Sequence, residues 1–248
     1  MNPQRLDVNY SIAWCSHWHV GSGYRSAATD RMIQRLGGRL GIPFLPGAQI
    51  KGVLRHTCER LAQTLGLDTV DPHATTRDQQ DKLVEHFSPL RQSPLIVDRL
   101  FGSRYQGDCL FVENATTNVS NGQQPGSTIR ARTAMDRVTG TVKERHLFTT
   151  ELAGNELMLQ GNIHARHPAD ILTQDEDGFP WEYSLLLAGL LTIEAFGGDK
   201  SVGLGSCEIN IAEICWNSNP VSMQECLASF EEADWRDMLQ LIREANNQ

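Results

Sequence analysis

Four glycines within residues 196–205 form the densest chemical signal in the chain, and they surround Lys200 and Ser201 in the run FGGDKSVGLG. Glycines at this density favour positive φ angles or close approach of the backbone to a ligand. Successive N–H groups in such a loop can form a concavity for phosphate oxygens, to which Lys200 adds positive charge. The run is not a P-loop, because Asp199 precedes the lysine and because it follows a predicted helix rather than a strand. A tight connection without any ligand also fits the spacing.

A second candidate for phosphate contact is the helix predicted to begin after Pro46-Gly47. Free N–H groups at a helix N-terminus attract anions, and Lys51 follows one turn later. Proline and glycine are also ordinary residues at a helix start, so the spacing leaves both interpretations open.

A third candidate is an extended hairpin, predicted from residues 128–134 and 145–150 with a turn near Gly140. A protruding basic hairpin suits contacts to a nucleic-acid backbone. The same charges also protect a solvated edge hairpin from aggregation, so this interpretation stays open as well. The basic residues of the hairpin are Arg130, Arg132, Arg137, Lys143 and Arg145.

The candidates for catalysis are loop carboxylates and two histidines. Asp30 lies in a polar segment between the first strand and the first helix, where a carboxylate can hold a divalent metal or position a hydroxyl group. His17 and His19 alternate at the end of the first strand and could act as general acid and base in RNA cleavage. Asp136 and Glu144 in the hairpin are further candidates. Loop aspartates usually face water and such histidines are often structural, so sequence spacing does not decide among them.

The hydrophobic pattern predicts an α+β protein. Apolar residues alternate from Leu6 to Trp14, as in a half-buried strand, and recur at helical spacing from Ile50 to Leu65. The remaining predicted elements are strands at 110–112, 157–164 and 207–211, and helices at 78–87, at 181–195 and in the acidic tail. Strands that alternate irregularly with two strong helices favour helices packed on an antiparallel sheet.

Composition limits the function classes. The chain has 248 residues and a formal net charge of -8, which argues against a nucleic-acid binder unless a basic groove lies apart from the acidic last third. The six cysteines contain no C-x-x-C pair, so they give no zinc signature and are typical of reduced thiols in a cytosolic protein. We find no signal peptide, and the longest apolar stretch, residues 185–193, is too short to span a bilayer. We therefore expect a cytoplasmic protein without a membrane partner.

In their order along the chain these segments resemble the RAMP superfamily of CRISPR proteins, and in particular the repeated backbone subunit of type III effector complexes. The similar motifs are HVGSG at 19–23, IPFLPGAQIKGVLR at 42–55, LFG at 100–102, MDRVTG at 135–140 followed by Leu147-Phe148 and Glu151, and the glycine-rich run at 196–205. Two departures stand out: Ala48-Gln49 replaces the usual Ser-Ser, and Glu113-Asn114-Ala115 lacks an aspartate before the alanine.

The resemblance implies a ferredoxin-like core of the RNA-recognition type, with an antiparallel sheet, helices on one face and a protruding thumb β-hairpin. It implies a single RAMP domain over residues 1–248 with insertions. These are the thumb hairpin at residues 114–155 and an acidic C-terminal helix at residues 220–246.

The resemblance further implies a subunit that binds guide RNA and cleaves the paired target RNA with Mg²⁺ or another divalent metal. Asp30 is then both the catalytic residue and the metal ligand. The implied partners are a CRISPR guide RNA, a complementary target RNA, neighbouring RAMP subunits and a large signature subunit. Residues assigned to RNA contact are His19, Gly21, Gly47, Gln49, Lys51, Arg55, Arg132, Arg137, Gly197, Gly198, Lys200, Ser201, Gly203 and Gly205.

Two alternatives remain within the same superfamily. One is a scaffold or end-cap subunit that holds RNA without cutting it. The other is a metal-independent endonuclease that processes guide RNA with His17 or His19.

Overall fold

The structure is a computed structural model that describes residues 5–38, 41–67, 69, 96–103, 107–117, 126–166 and 179–232. Its strands are β1 (Arg5–Trp14), β2 (Arg35–Leu36), β3 (Ile42–Pro43), β4 (Leu110–Val112), β5 (Ser127–Met135), β6 (Val142–Ala153), β7 (Met158–Arg166), β8 (Cys207–Trp216) and β9 (Asn219–Pro220). Its α-helices are α1 (Gly47–Thr64), α2 (Ile96–Phe101), α3 (Trp181–Leu191) and α4 (Met223–Glu232). The helix predicted at 78–87, and the predicted C-terminal helix beyond residue 232, lie outside the described residues.

The main sheet has the strand order β4-β7-β1-β8-β9, and every pair in it is antiparallel. Its core elements follow the chain as β1, α1, β4, β7, α3 and β8, which is the split β-α-β arrangement of ferredoxin-like folds. The predicted α+β class with an antiparallel sheet is confirmed. A second two-stranded sheet, β5 with β6, forms the hairpin that we call the thumb.

Strand β1 is the central strand of the sheet, and its two faces meet different environments. Its even-numbered residues from Leu6 to Trp14 are buried, whereas the residues between them are at least partly accessible. This alternation is the one expected of a strand with one covered face. Ile12 lies opposite Leu159 of β7 and Ile209 of β8, so three strands contribute to one apolar layer.

Helices α1 and α3 cover that layer. Helix α1 buries Ile50, Leu54 and Cys58 at helical spacing, as predicted. Helix α3 is buried along nearly its whole length and ends at Leu191 rather than at the predicted Ala195. The helix stops early because the following segment turns back towards β8, where the Cys207 N–H donates to the Glu194 carbonyl at 2.9 Å.

None of the helices within the described ranges combines the length and the hydropathy that a membrane span requires.

The contact between α1 and α3 predicts opposite effects for two glycine substitutions. A Cβ at Gly189 would overlap the Cys58 sulfur, so Gly189→Ala should destabilise the fold by about 1–3 kcal/mol through overpacking. Gly52, on the exposed side of α1, has no atom within 4 Å of such a Cβ. Gly52→Ala should therefore raise the free energy of unfolding by about 0.5–1 kcal/mol. Urea unfolding of both variants tests this packing, and a neutral Gly189→Ala would contradict it.

Candidate nucleic-acid interface

The glycine-rich loop at 196–205 packs against the segment that follows β1. The Phe196 N–H donates to the Gly205 carbonyl at 3.0 Å and closes the loop. The Gly198 N–H donates to the His19 carbonyl, and the Gly205 N–H donates to the His17 carbonyl, each at 2.9 Å. These bonds hold the loop against the end of the first strand and so fix the position of its side chains.

Two of the glycines are required by this docking. Gly197 has a φ of 88° and Gly205 a φ of 77°, both in the region that favours glycine. A Cβ at Gly197 would overlap the His19 carbonyl oxygen, and one at Gly205 would overlap the Phe196 carbonyl oxygen. Close approach of backbone to backbone therefore accounts for these glycines without any ligand.

The same loop uses several of its N–H groups internally. Those of Gly198, Gly203, Leu204 and Gly205 all donate to carbonyls of the protein. These four groups are thus not available to phosphate oxygens in this conformation. The side chains of Lys200 and Ser201 are exposed and remain the loop's groups for an anion.

Asp199 connects this loop to two other parts of the chain. Its backbone has a φ of 60°, and its Oδ2 accepts a hydrogen bond from Arg31 Nη1 at 3.2 Å and forms an ion pair with Arg132 Nη1 at 2.9 Å. Arg31 belongs to the segment after β1, and Arg132 belongs to β5 of the thumb. One carboxylate therefore joins the glycine loop, the segment after β1 and the thumb base.

His19 lies beneath this junction and is only 2% exposed. Its Nδ1 lies 2.8 Å from the Glu151 carbonyl, which can only accept, so Nδ1 carries the proton. Burial lowers the pKa of His19, with a smaller lowering from Arg31 and Arg132, and these effects outweigh the opposing Glu151 bond and Asp199 charge. A buried neutral imidazole of this kind positions the backbone and is poorly placed for acid–base chemistry on an RNA.

Asp30 is exposed and is attached to the thumb base. Its Oδ2 accepts the Thr149 N–H at 2.7 Å and lies 3.1 Å from the Thr149 hydroxyl. The Asp30 N–H in turn donates to Thr149 Oγ1 at 3.1 Å. The backbone N–H and then the hydroxyl of Thr149 hold the pKa of Asp30 below its usual value, so the carboxylate is charged and fixed in place at neutral pH.

The thumb ends in a tight turn around Asp136. Its Oδ1 accepts the N–H groups of Val138 at 2.8 Å and Thr139 at 3.1 Å, and these bonds, that of Thr139 first, lower the pKa of Asp136. The predicted turn near Gly140 is confirmed, because Gly140 has a φ of 68°. Asp136 therefore shapes the tip of the thumb. The exposed basic residues of the hairpin are Arg130, Arg137, Lys143 and Arg145.

Comparison with protein families identifies this arrangement. The model of the RAMP superfamily matches residues 14–208, which run from the last residue of β1 through the thumb and the glycine loop to the start of β8. The chain belongs to the RAMP superfamily. A comparison with curated proteins found no match.

Solved structures include chains of similar architecture. A chain in the cryo-EM structure of Type III-B Cmr-beta bound to cognate target RNA aligns with a TM-score of 0.54 and 10% sequence identity. The alignment covers 83% of this RAMP chain and 96% of the other chain. At this identity the likeness shows that the two chains share a fold.

The structure separates the RAMP residues assigned to RNA contact into two groups. The first group surrounds the Asp199 junction and includes His19, Gly197, Gly198, Lys200 and Arg132. Gly21 lies near it and pairs with Ile33 in a β-bridge. Arg137 is further away, in the turn at the thumb tip. The second group, on α1, contacts β4 and α2 instead.

The start of α1 is occupied by the protein's own groups. The Gly47 N–H donates to Asn114 Oδ1 at 2.9 Å, and a Cβ on Gly47 would overlap the Val112 carbonyl. Gln49 is half-buried. The Pro46-Gly47 start thus fits α1 closely against β4. Asn114, one of the departures from the family pattern, caps the helix.

Two basic residues of α1 are already paired. Lys51 forms an ion pair with Asp108, and its Nζ lies 3.2 Å from the Leu110 carbonyl. Arg55 pairs with Glu59 at 2.8 Å and with the buried Asp98 of α2. Burial raises the pKa of Asp98 although Arg55 opposes this. These contacts give both residues a structural role, and their contact with RNA stays a prediction.

Sequence reasoning missed Arg31, Thr149 and Asp199. Each bonds to a residue more than 100 positions away, so local spacing held no signal for the pairing. The one available signal was the position of Asp199 within the glycine-rich run, where it served only to exclude a P-loop.

The bond between Asp30 and Thr149 predicts a measurable pKa change. Thr149→Val removes the hydroxyl but keeps the backbone N–H, so the pKa of Asp30 should rise towards its ordinary value without reaching it. Carboxyl-carbon NMR titration measures this change. Because the pKa of Asp30 is lowered in the folded protein, its contact with Thr149 stabilises the protein above the ordinary pKa of a carboxyl group. This stabilisation is lost as the pH falls through the pKa of folded Asp30. That pKa is higher in the variant, so the contact should weaken at a higher pH than in wild type. Asp136, bonded within its own turn, is the internal control and should titrate unchanged.

Proposed function

We propose that this chain is a subunit of a type III CRISPR effector complex that binds a guide RNA paired to a target RNA. Membership of the RAMP superfamily supports this, as does a fold shared with a chain of Type III-B Cmr-beta, which is bound to cognate target RNA. The observation that carries the proposal is the junction at Asp199, which gathers the glycine loop, the segment with Asp30 and the thumb base at one end of the sheet. The proposed partners are guide RNA, target RNA, neighbouring RAMP subunits and a large signature subunit.

The charge distribution of the thumb fits an RNA backbone. Residues 127–153 hold five Lys or Arg against three Asp or Glu, in a chain whose formal net charge is -8. One of the three acids, Glu151, is bonded to Arg35 at 2.8 Å at the thumb base and is largely shielded from solvent. A locally basic hairpin attracts phosphates even when the protein as a whole is acidic.

The thumb also exposes apolar side chains that could contact bases. Val138 at the tip is 95% exposed, and the other exposed apolar residues of the hairpin are Ile129, Met135, Val142 and Leu147. Apolar side chains of nucleic-acid-binding proteins insert between bases and unstack them. We propose that the thumb displaces a base from the guide–target duplex in this way, while base pairing alone determines the sequence that is recognised.

We further propose that Asp30 supports cleavage of the target RNA with Mg²⁺ or another divalent metal. Within the described residues no group of three His, Cys, Asp or Glu side chains is placed to hold a metal ion. Asp30 nevertheless fits Mg²⁺, which often binds through one or two carboxylates plus substrate phosphates and water. Only Oδ2 accepts the bonds from Thr149, so Oδ1 is the oxygen for the metal. A bound metal would stabilise charge on the scissile phosphate during attack by the neighbouring 2′-hydroxyl.

The same geometry gives a specific reason to retain the scaffold alternative. The bonds between Asp30 and Thr149 also serve to fasten the thumb to the segment after β1, which is a structural role. In that case the chain holds RNA and other subunits perform any cleavage. Burial of His19 weakens the metal-independent processing alternative, which is left to the partly accessible His17.

Cleavage of a labelled complementary RNA by the assembled complex distinguishes nuclease from scaffold. Asp30→Asn keeps an acceptor for the Thr149 N–H but removes the charge that a metal requires. We expect it to retain RNA binding and to lose at least about a hundredfold in the rate of magnesium-dependent cleavage. Glu208→Gln, which alters an exposed carboxylate of β8, is the matched control and should cleave as wild type. Unchanged cleavage by Asp30→Asn would assign the chain to the scaffold role.

A further inference from the structure

Arg25 is an exposed arginine in the segment that carries Asp30, and it forms no ion pair with a described residue. Arg31 and Arg35, the other described arginines of this segment, are each bonded to a carboxylate. A guanidinium group stays protonated in proteins, so Arg25 presents a permanent positive charge to solvent. This residue was not among those predicted from the sequence to contact RNA or to take part in catalysis.

A tight turn brings Arg25 and Asp30 to facing positions. The Ser26 N–H donates to the Thr29 carbonyl at 2.8 Å, and the Thr29 N–H donates to Ser26 Oγ at 3.0 Å. Arg25 directly precedes this bonded pair and Asp30 directly follows it, so the two residues face each other as cross-strand neighbours do. The bonds from Thr149 lower the pKa of Asp30 most, and the charge of Arg25 lowers it further, as expected of a nearby cation.

The turn is anchored on the thumb and closed at its open end. Thr29 is only 6% exposed, and the Thr149 hydroxyl oxygen lies 3.2 Å from the Ala28 carbonyl oxygen. At the open end, the Met32 N–H donates to the Tyr24 carbonyl at 3.2 Å. The backbone on both sides of the turn is therefore held in place, which fixes where the cation and the carboxylate leave the chain.

We propose that Arg25 is a further catalytic residue of target-RNA cleavage, whose guanidinium binds a non-bridging oxygen of the scissile phosphate beside Asp30. This inference rests on the proposed cleavage at Asp30 and deepens it. Paired N–H donors of a guanidinium match the oxygens of a phosphate. Because Arg25 and Asp30 are both exposed and face each other across one turn, a single phosphate can meet both.

The reaction gives this cation a defined role. The ribose 2′-oxygen attacks phosphorus while the bond from phosphorus to the 5′-oxygen breaks. The 2′-hydroxyl loses its proton to water and the leaving 5′-oxygen takes a proton from water, so the products are a 2′,3′-cyclic phosphate and a 5′-hydroxyl end. Negative charge builds up on the phosphate oxygens during the attack, and a guanidinium in contact with them stabilises that charge.

Single-turnover cleavage of a labelled complementary RNA by the assembled complex tests the proposal. At saturating RNA, Arg25→Ala should lower the cleavage rate by about a hundredfold while the complex still binds RNA. Added guanidinium ion should restore part of that rate, because it can occupy the place of the missing side chain. Arg166→Ala removes an exposed arginine from the opposite end of the sheet and is the matched control. It should cleave as wild type and should not respond to guanidinium, and thermal unfolding should show that both variants fold.

The possible outcomes separate the inference from the function on which it rests. An unchanged rate in Arg25→Ala, in a complex that cleaves, overturns the inference and leaves the proposed cleavage at Asp30 standing. A slow Arg25→Ala that guanidinium does not rescue also overturns it, because the loss is then structural. Equal losses in Arg25→Ala and Arg166→Ala overturn it as an effect of total charge. Absence of cleavage by the wild-type complex contradicts the proposed cleavage and the inference together.

Discussion

The thumb depends on how its base is held, since an isolated two-stranded hairpin is at best marginally stable in water. The Asp199 carboxylate, which bonds to Arg132 of β5 and to Arg31, is the central contact of that base. Backbone bridges from Trp18 to Ala153 and from Arg31 to Thr150 complete it. The orientation of the thumb, the position of Asp30 and the docking of the glycine loop are therefore set together.

This dependence explains why a chain with a formal net charge of -8 can offer a basic surface. Two acids near the junction are used in ion pairs, since Asp199 pairs with two arginines and Glu151 pairs with Arg35. The bonds from Arg35 and the Ile33 N–H outweigh the effect of burial and lower the pKa of Glu151, so this pair stays charged at neutral pH. The thumb then presents four exposed cations to solvent, namely Arg130, Arg137, Lys143 and Arg145. The net charge of the whole chain is thus a weak guide to the charge of the surface that a partner binds.

Much of the fold could be predicted from local pattern. The alternation from Leu6 to Trp14 and the short strand Leu110–Val112 were assigned correctly, because period-two burial depends only on neighbours in sequence. The end of α3 was wrong because it is set by the return of the chain to β8, a contact between distant segments. Helix propensity depends on local sequence, so it does not predict this contact between distant segments.

The candidate site was predicted less completely than the fold. The order of the motifs located the glycine loop, the thumb and the segment with Asp30, but the roles of individual residues followed from contacts across the chain. Lys51 and Arg55 had the residue types of phosphate ligands, yet they pair with Asp108 and Asp98. Gly197 and Gly205 fitted a ligand loop but are explained by backbone packing. Residue type and spacing predicted the segments of the candidate site, whereas the pairing of individual groups depends on contacts between distant segments.

Photocrosslinking of a guide RNA that contains 4-thiouridine, in the assembled complex, tests the central claim most directly. If RNA crosses the Asp199 junction, crosslinked peptides should come from the thumb at 127–153 and from the glycine loop at 196–205. Crosslinks confined to the open face of the sheet, at the exposed Phe111 and its stacked neighbour His164, would contradict the account. They would place the RNA on the side of the sheet opposite the helices.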